Sequence, residues 1–188
     1  MFLMDLITGL PEDNGFSTIL VVVDKQTKYA HFLPCKHNIN EEETAKLIHD
    51  NIWCHYGLPM QIISDRDARW TGAFWEYLTS LIGIQQLLTT AYHPQADGQT
   101  EVMNQILEIA LRAYCSDKKN KWCDSLPGFA LSYNSTEHTA TKFPPAYLLR
   151  GFHPKKIGDF LSQYAHVNKQ IAVESRTAKE FQERMMSI

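Results

Sequence analysis

No stretch of this 188-residue chain is apolar for long enough to cross a bilayer. The opening MFLMDLI is too short and too soon acidic for a secretory leader. No membrane partner is therefore expected. The four cysteines, Cys35, Cys54, Cys115 and Cys123, form no Cys-x-x-Cys pair, and the eight histidines show no paired spacing that would build a zinc module. Buried free thiols in a reducing compartment are the expectation. Basic residues are not in excess either. Eighteen Lys and Arg against 21 Asp and Glu leave a formal net charge of −3, which argues mildly against a general nucleic-acid binder. Internal repeats and low-complexity segments are lacking too. What remains, 44% hydrophobic and 21% charged residues, suits one globular domain with a full core and a short extension.

Apolar runs at residues 2–8 and 18–24 read as strands, the second so continuous in Ile, Leu and Val that both its faces should be covered. A third run, Tyr29 to Leu33, is ended by Pro34, and short turns make the three an antiparallel meander. Asn40 followed by Glu41, Glu42 and Glu43 predicts a helix start, with Ala45, Leu47, Ile48, Ile52 and Trp53 inward and Gly57-Leu58-Pro59 as its stop. Gln61–Ser64 is a fourth strand. A helix follows over 71–82 with Phe74, Trp75, Leu78, Leu81 and Ile82 inward, then a fifth strand from Ile84 to Leu88. Helical spacing also marks a segment from about Asp97, another over 119–134 and a short one from Pro144-Pro145 to Leu149. This order predicts an α/β fold, a mixed five-stranded sheet with helices on its faces.

Asp5 sits inside an apolar run, Asp65 closes another, and Glu101 opens a helix with 35 residues between the last two. A carboxylate in a strand-like apolar segment is costly unless something claims it, and two divalent metal ions would do so. The bland alternatives are a strand-edge acid for Asp5, a turn acid for Asp65 and a helix-dipole acid for Glu101. Asp24, Asp67 and Asp97 compete, although Asp24 leads into a turn and Asp97 suits a cap. Basic residues cluster at Lys25/Lys28, Arg66/Arg69, Lys118/Lys119/Lys121 and Lys155/Lys156, each of which reads first as solvated surface.

The phrases MDLITGLP, ILVVVDKQTKYAHFLP, ISDRDARWTGAFWEYL, TTAYHPQADGQTEVMNQ and YNSTEHTATKFPPAYLLRGFHP carry a resemblance that spacing alone does not. Over residues 3–155 the chain resembles the integrase catalytic core of gypsy-class LTR retrotransposons. The resemblance implies an RNase H-like fold for residues 1–155 and a DDE polynucleotidyl transferase. Asp5, Asp65 and Glu101 would be its catalytic and metal-binding residues, holding two Mg²⁺ or Mn²⁺ ions. It also implies that His93, Gln95, Gln99 and Asn104 approach DNA. The partners would be retroelement ends and target DNA, the assembly a homo-oligomer, and the place of work the nucleus, after a cytoplasmic stage before import. The reaction implied is trimming of a 3′ end by water, then joining of the 3′-hydroxyl to target DNA.

The pattern departs from the family at Glu101-Val102-Met103-Asn104-Gln105, where basic residues usually follow the glutamate and would add salt-dependent affinity for DNA. Neither a zinc-binding domain before the core nor a clear DNA-binding domain after it is expected from this sequence, and residues 156–188 read as a helical extension, either the start of something longer or a frayed surface helix. Two rivals stay open. One is a degenerate or domesticated remnant that binds nucleic acid or protein through the same fold. The other is an RNase H-type nuclease, which would need contacts to an RNA 2′-hydroxyl that the sequence does not reveal.

Overall fold

The computed structural model describes residues 1–88, 109 and 122–154. Five strands form one mixed sheet in the order β3-β2-β1-β4-β5. β1 (Phe2–Ile7), β2 (Thr18–Asp24) and β3 (Ala30–Cys35) make the antiparallel meander. β4 (Gln61–Ser64) and β5 (Gln85–Leu88) then add parallel to β1 in turn. The β1–β2 loop folds back at Asn14-Gly15, both with positive φ, so that Asp13 bridges Phe16.

The continuous apolar run of β2 is explained by its position. Ile19 to Val23 are all buried, alternately against two cores. On one face Leu20 and Val22 meet Met4, Ile62 and the helices that follow β3. On the other, Ile19, Val21 and Val23 join Leu3, Ile7 and Phe32 against Trp122, Leu126 and Phe129. Those three residues belong to a helix, Trp122–Ser135, whose first turn is tied down by two side chains. The Asp13 carboxylate accepts from Cys123 N at 2.7 Å, and the Trp122 indole donates to Pro11 O at 2.7 Å.

The first helix, α1 (Glu41–Ile48), starts at Asn40 as its sequence demands. Asn40 Oδ1 accepts from Glu43 N while Glu43 Oε2 accepts from Asn40 N, a reciprocal capping box. The helix widens into a π turn over His49–Trp53, tightens again in α2 (Cys54–Tyr56) and stops at Gly57, whose φ of 79° only glycine adopts freely. Next come α3 (Ala68–Thr71) and α4 (Ala73–Leu81). The helix over Trp122–Ser135 is α5, and α6 (Pro145–Arg150) ends at Gly151 in the left-handed conformation. Among the described residues no helix is long and apolar enough to cross a membrane.

Four expectations are corrected. Pro34 does not end the third strand but lies within it, paired with Ile19, and is tolerated because β3 is an edge strand whose outward N–H is not needed. The helix expected over 71–82 begins only after Gly72, as α4, and a separate short helix, α3, precedes it. Its Phe74 and Leu81 face outward with Tyr77, while Trp70, Trp75 and Thr79 are buried. The break rotates the second helix so that Trp75 and Thr79, one turn apart, point at the sheet. Cys54 is exposed, unlike Cys35. Gly72 leaves room for a neighbour. The Glu41 carboxylate reaches over it to accept from Trp75 N at 3.2 Å, and a Cβ on residue 72 would overlap that carboxylate. Gly72→Ala should therefore displace Glu41, strip the N-terminus of α4 of its cap and cost about 1 kcal/mol. Urea unfolding checks this, and Glu41→Ala should cost a similar amount.

One side chain closes the sheet edge. Asn134, in the last turn of α5, donates from Nδ2 to Ala30 O and accepts at Oδ1 from Ala30 N, both at 2.9 Å. It is buried, and it treats β3 as a neighbouring strand would.

Candidate active site

The parallel ladder between β1 and β4 pairs Phe2 with Ile62, Leu3 with Ile63 and Met4 with Ser64. The next residue on each strand is an acid, Asp5 on β1 and Asp65 just past the end of β4. The two expected ligands from distant parts of the sequence thus stand at successive positions of neighbouring strands. Adjacent strands lie about 4.8 Å apart, so the backbone brings the pair together without long side chains.

The two acids are held differently. Asp5 is half-buried in the middle of the sheet, opposite Val21 of β2, and its Oδ1 accepts from Leu6 N at 2.7 Å. A central strand position makes its backbone rigid. Asp65 is exposed, and its Oδ1 accepts two bonds, from the Trp70 indole at 2.9 Å and from Asp67 N at 3.2 Å. Trp70 is fully buried in the core beside Trp75, the ring centroids 5.7 Å apart and nearly edge to face. A buried indole N–H gains by finding an acceptor, and here it orients a candidate ligand. Sequence reasoning missed Trp70. Its signal was the tryptophan five residues beyond the acid, whose N–H can reach back to that acid once the ring enters the core.

The competing acids have other employment. Asp67 caps α3 through Arg69 N and forms a bidentate pair with the Arg69 guanidinium, which holds its carboxyl below the usual carboxylate range. Asp24 accepts from Thr27 N at 3.1 Å and Thr27 Oγ1 at 2.7 Å, fastening the β2–β3 turn. It pairs with Phe2 in the sheet, at the far end of β1 from Asp65. Glu101 and the expected DNA contacts His93, Gln95, Gln99 and Asn104 lie outside the described residues, as do Asp97 and the 156–188 extension. Among the described residues no group of three or more His, Cys, Asp or Glu could hold a metal ion. The two acids nonetheless suit a hard divalent cation. Both offer carboxylate oxygens from fixed backbone positions, and the bonds described at Asp65 engage Oδ1 alone.

The opposite end of the sheet carries a cleft of about 300 Å³, lined by Asp24, Tyr29, His31, Tyr56, Met60 and Leu149 among others. Here His31 packs against Tyr29 and Tyr56, each pair of centroids 5.1 Å apart. Burial, then the charges of Arg150 and His55, lower the His31 pKa to about 4. Unfolding releases this imidazole to bind a proton near pH 6.5, so stability contributed by neutral His31 is present above that pH and is lost as pH falls toward 4. His31→Gln should flatten the acid limb of a stability-against-pH curve by on the order of 1–2 kcal/mol between pH 7 and 4.5. Chemical denaturation at stepped pH measures it.

No family model matches the chain. Curated relatives do. The Tf2-3 and Tf2-4 transposon polyproteins of Schizosaccharomyces pombe are each 36% identical over 151 residues, which is 80% of this chain and 11% of each polyprotein. The chain thus spans about a tenth of the length of the relatives it matches. Among solved structures, the catalytic core domain of BIV integrase superposes with a TM-score of 0.60 at 18% identity, covering 89% of this chain and 97% of that one. The HTLV-2 integrase catalytic core domain in complex with magnesium gives 0.60 at 14%, covering 77% and 91%. The simian T-cell lymphotropic virus intasome in complex with PP2A regulatory subunit B56 gamma gives 0.64 at 19%, covering 83% and 55%. By sequence the chain is a homologue of the Tf2 retrotransposon polyproteins, and by fold it stands with the retroviral integrase catalytic cores, in keeping with the retrotransposon integrase core that its motifs resemble.

Proposed function

We propose that the chain is the catalytic core of an integrase-type polynucleotidyl transferase that trims a DNA 3′ end and joins the resulting 3′-hydroxyl to target DNA. The single observation that carries this reading is the register of β1 on β4, which sets Asp5 beside Asp65. Asp5, Asp65 and Glu101 would hold two Mg²⁺ or Mn²⁺ ions, with Asp5 as the shared ligand. When bound, the ions supply Lewis-acid activation of the attacking oxygen and charge stabilisation of the leaving one. The chain's own part is positional. Asp5 is fixed by the central sheet and Asp65 by the Trp70 indole, so the carboxylates meet the scissile phosphodiester in one arrangement. His93, Gln95, Gln99 and Asn104 would hold the DNA against that point. The likeness to HTLV-2 integrase cores in complex with magnesium, seen in trimeric and dimeric forms, supports a divalent-metal requirement and a homo-oligomer. Acting on target DNA, the protein would work in the nucleus.

Joining of a 3′-hydroxyl oligonucleotide to a plasmid under Mg²⁺ or Mn²⁺ tests the proposal. A product that forms equally well in chelator, or no product under either metal, overturns it. In the second case a relic that keeps the fold for binding is the reading left.

A further inference from the structure

One end of the molecule, away from the acids, gathers cations that the proposed chemistry does not use. Lys25 and Lys28 occupy the β2–β3 turn, where Lys28 N donates to Asp24 O at 2.8 Å and Lys28 takes a positive φ of 65°. Arg150, the last residue of α6, reaches the same turn. Its Nη2 donates to Tyr29 Oη at 2.9 Å and its guanidinium lies 5.5 Å from the Tyr29 ring centroid. Lys142 closes the next turn, donating its N–H to His138 O at 2.8 Å. Burial, and after it the charge of Lys28, lowers the pKa of His138. Among the described residues none of Lys25, Lys28, Lys142 or Arg150 pairs with a carboxylate. In a chain of net charge −3, this grouping runs against the overall balance.

Beside these cations stands a row of stacked rings. Phe143 and Tyr147 lie 5.9 Å apart at 21°, and Tyr147 and His153 lie 4.5 Å apart at 16°. Phe143 and His153, at the two ends, are exposed. A ladder open at its ends can be extended by another flat ring.

We propose that this surface, formed by the β2–β3 turn and α6 with its flanking turns, binds an unpaired DNA strand, its phosphates on the four cations and its bases on the ring ladder. Cations free of carboxylate contacts within salt-bridge distance among the described residues, next to aromatic platforms, form the arrangement by which single strands are held without sequence readout. A duplex hides its base faces and would leave the ladder unused. An acidic protein partner would have no use for the rings. The choice of DNA over RNA rests on the function proposed above, whereas the surface itself does not depend on it.

Fluorescence anisotropy in EDTA, with an oligo-dT strand, a duplex of equal length and an oligo-U strand, tests the proposal across 50–200 mM KCl. Lys25 and Lys142 are exposed, so the double variant Lys25→Gln/Lys142→Gln should keep the parent melting curve. It should lower the slope of log affinity against log salt by about 1.4 for the single strand. Phe143→Ala should weaken oligo-dT binding by about tenfold and leave the duplex unchanged. Asp65→Asn should bind as the parent does, so joining retained in that variant would remove the carboxylate mechanism and still leave this surface standing. Unaltered slope and affinity in the variants overturn the proposal. So does tighter binding of oligo-U than oligo-dT, equal loss on the duplex, or an effect seen only with polyglutamate as competitor.

Discussion

Asp65→Asn should lower metal-dependent joining on the order of 10³-fold, because losing the charge that holds a cation removes several kcal/mol of transition-state stabilisation. The substitution is close to isosteric. The amide oxygen can still accept from the Trp70 indole and from Asp67 N, so α3 and the Trp70–Trp75 packing should persist. Removing one of two neighbouring acids also relieves like-charge repulsion in metal-free protein. The melting midpoint in EDTA should therefore match or slightly exceed the parent's. Added Mn²⁺ should raise the parent's midpoint and leave that of the variant unmoved, since a ligand stabilises only the state that binds it. Calorimetric scans with and without Mn²⁺, beside a joining assay, decide the matter. A variant as active as its parent removes Asp65 from the mechanism.

The second large effect concerns stability. Asn134→Asp replaces a carboxamide by a carboxylate of the same shape, keeps an acceptor for Ala30 N and loses the donor for Ala30 O. A buried carbonyl left unpaired costs about 1–3 kcal/mol, and the new buried charge adds to it. The combined loss should be about 3 kcal/mol or more, lowering the melting midpoint by about 6–12 °C in a domain of this size. The new carboxyl would have a raised pKa in the folded state, because burial favours its neutral form. The folded state then binds the extra proton first, so the deficit relative to the parent should shrink as pH falls from 7 toward 4 and the acid regains an O–H donor. Asn134→Ala should be comparably unstable at neutral pH with no such recovery. The two curves together separate a lost hydrogen bond from a buried charge.

How far the sequence could be read depended on where each signal sits in the chain. Local chemistry was legible. The helix start at Asn40, the stop at Gly57 and the end of α6 before Gly151 each involve residues a few positions apart, and all formed as expected. The double burial of β2 was legible as well, because both faces are written into one uninterrupted run. What failed was orientation. Phe74 and Leu81 look like core by composition, yet the break at Gly72 turns their side of α4 to solvent. Beyond that break the first turn of α4 is capped by Glu41, which comes from another helix and leaves no mark near residue 72. Asn134 was illegible for the same reason. A polar residue in a last helical turn reads as surface, and its partner is Ala30, 104 positions away. The adjacency of Asp5 and Asp65 lay between these cases. Periodicity located both strands, but only the resemblance suggested that the acids belong together, and the parallel register supplied the physical reason.

The closed edge of the sheet has a bearing on how copies of this chain can associate. Backbone groups on an edge strand point outward at every second residue, and on β3 those residues are Ala30, Phe32 and Pro34. The first is occupied by Asn134 and the third has no hydrogen to give. Fibre growth by strand docking needs two sticky rims per subunit, and this rim is plugged. Crowded copies that meet rim to rim can at most pair once through the other side and then stop, so a stock of the protein should resist seeding as a filament.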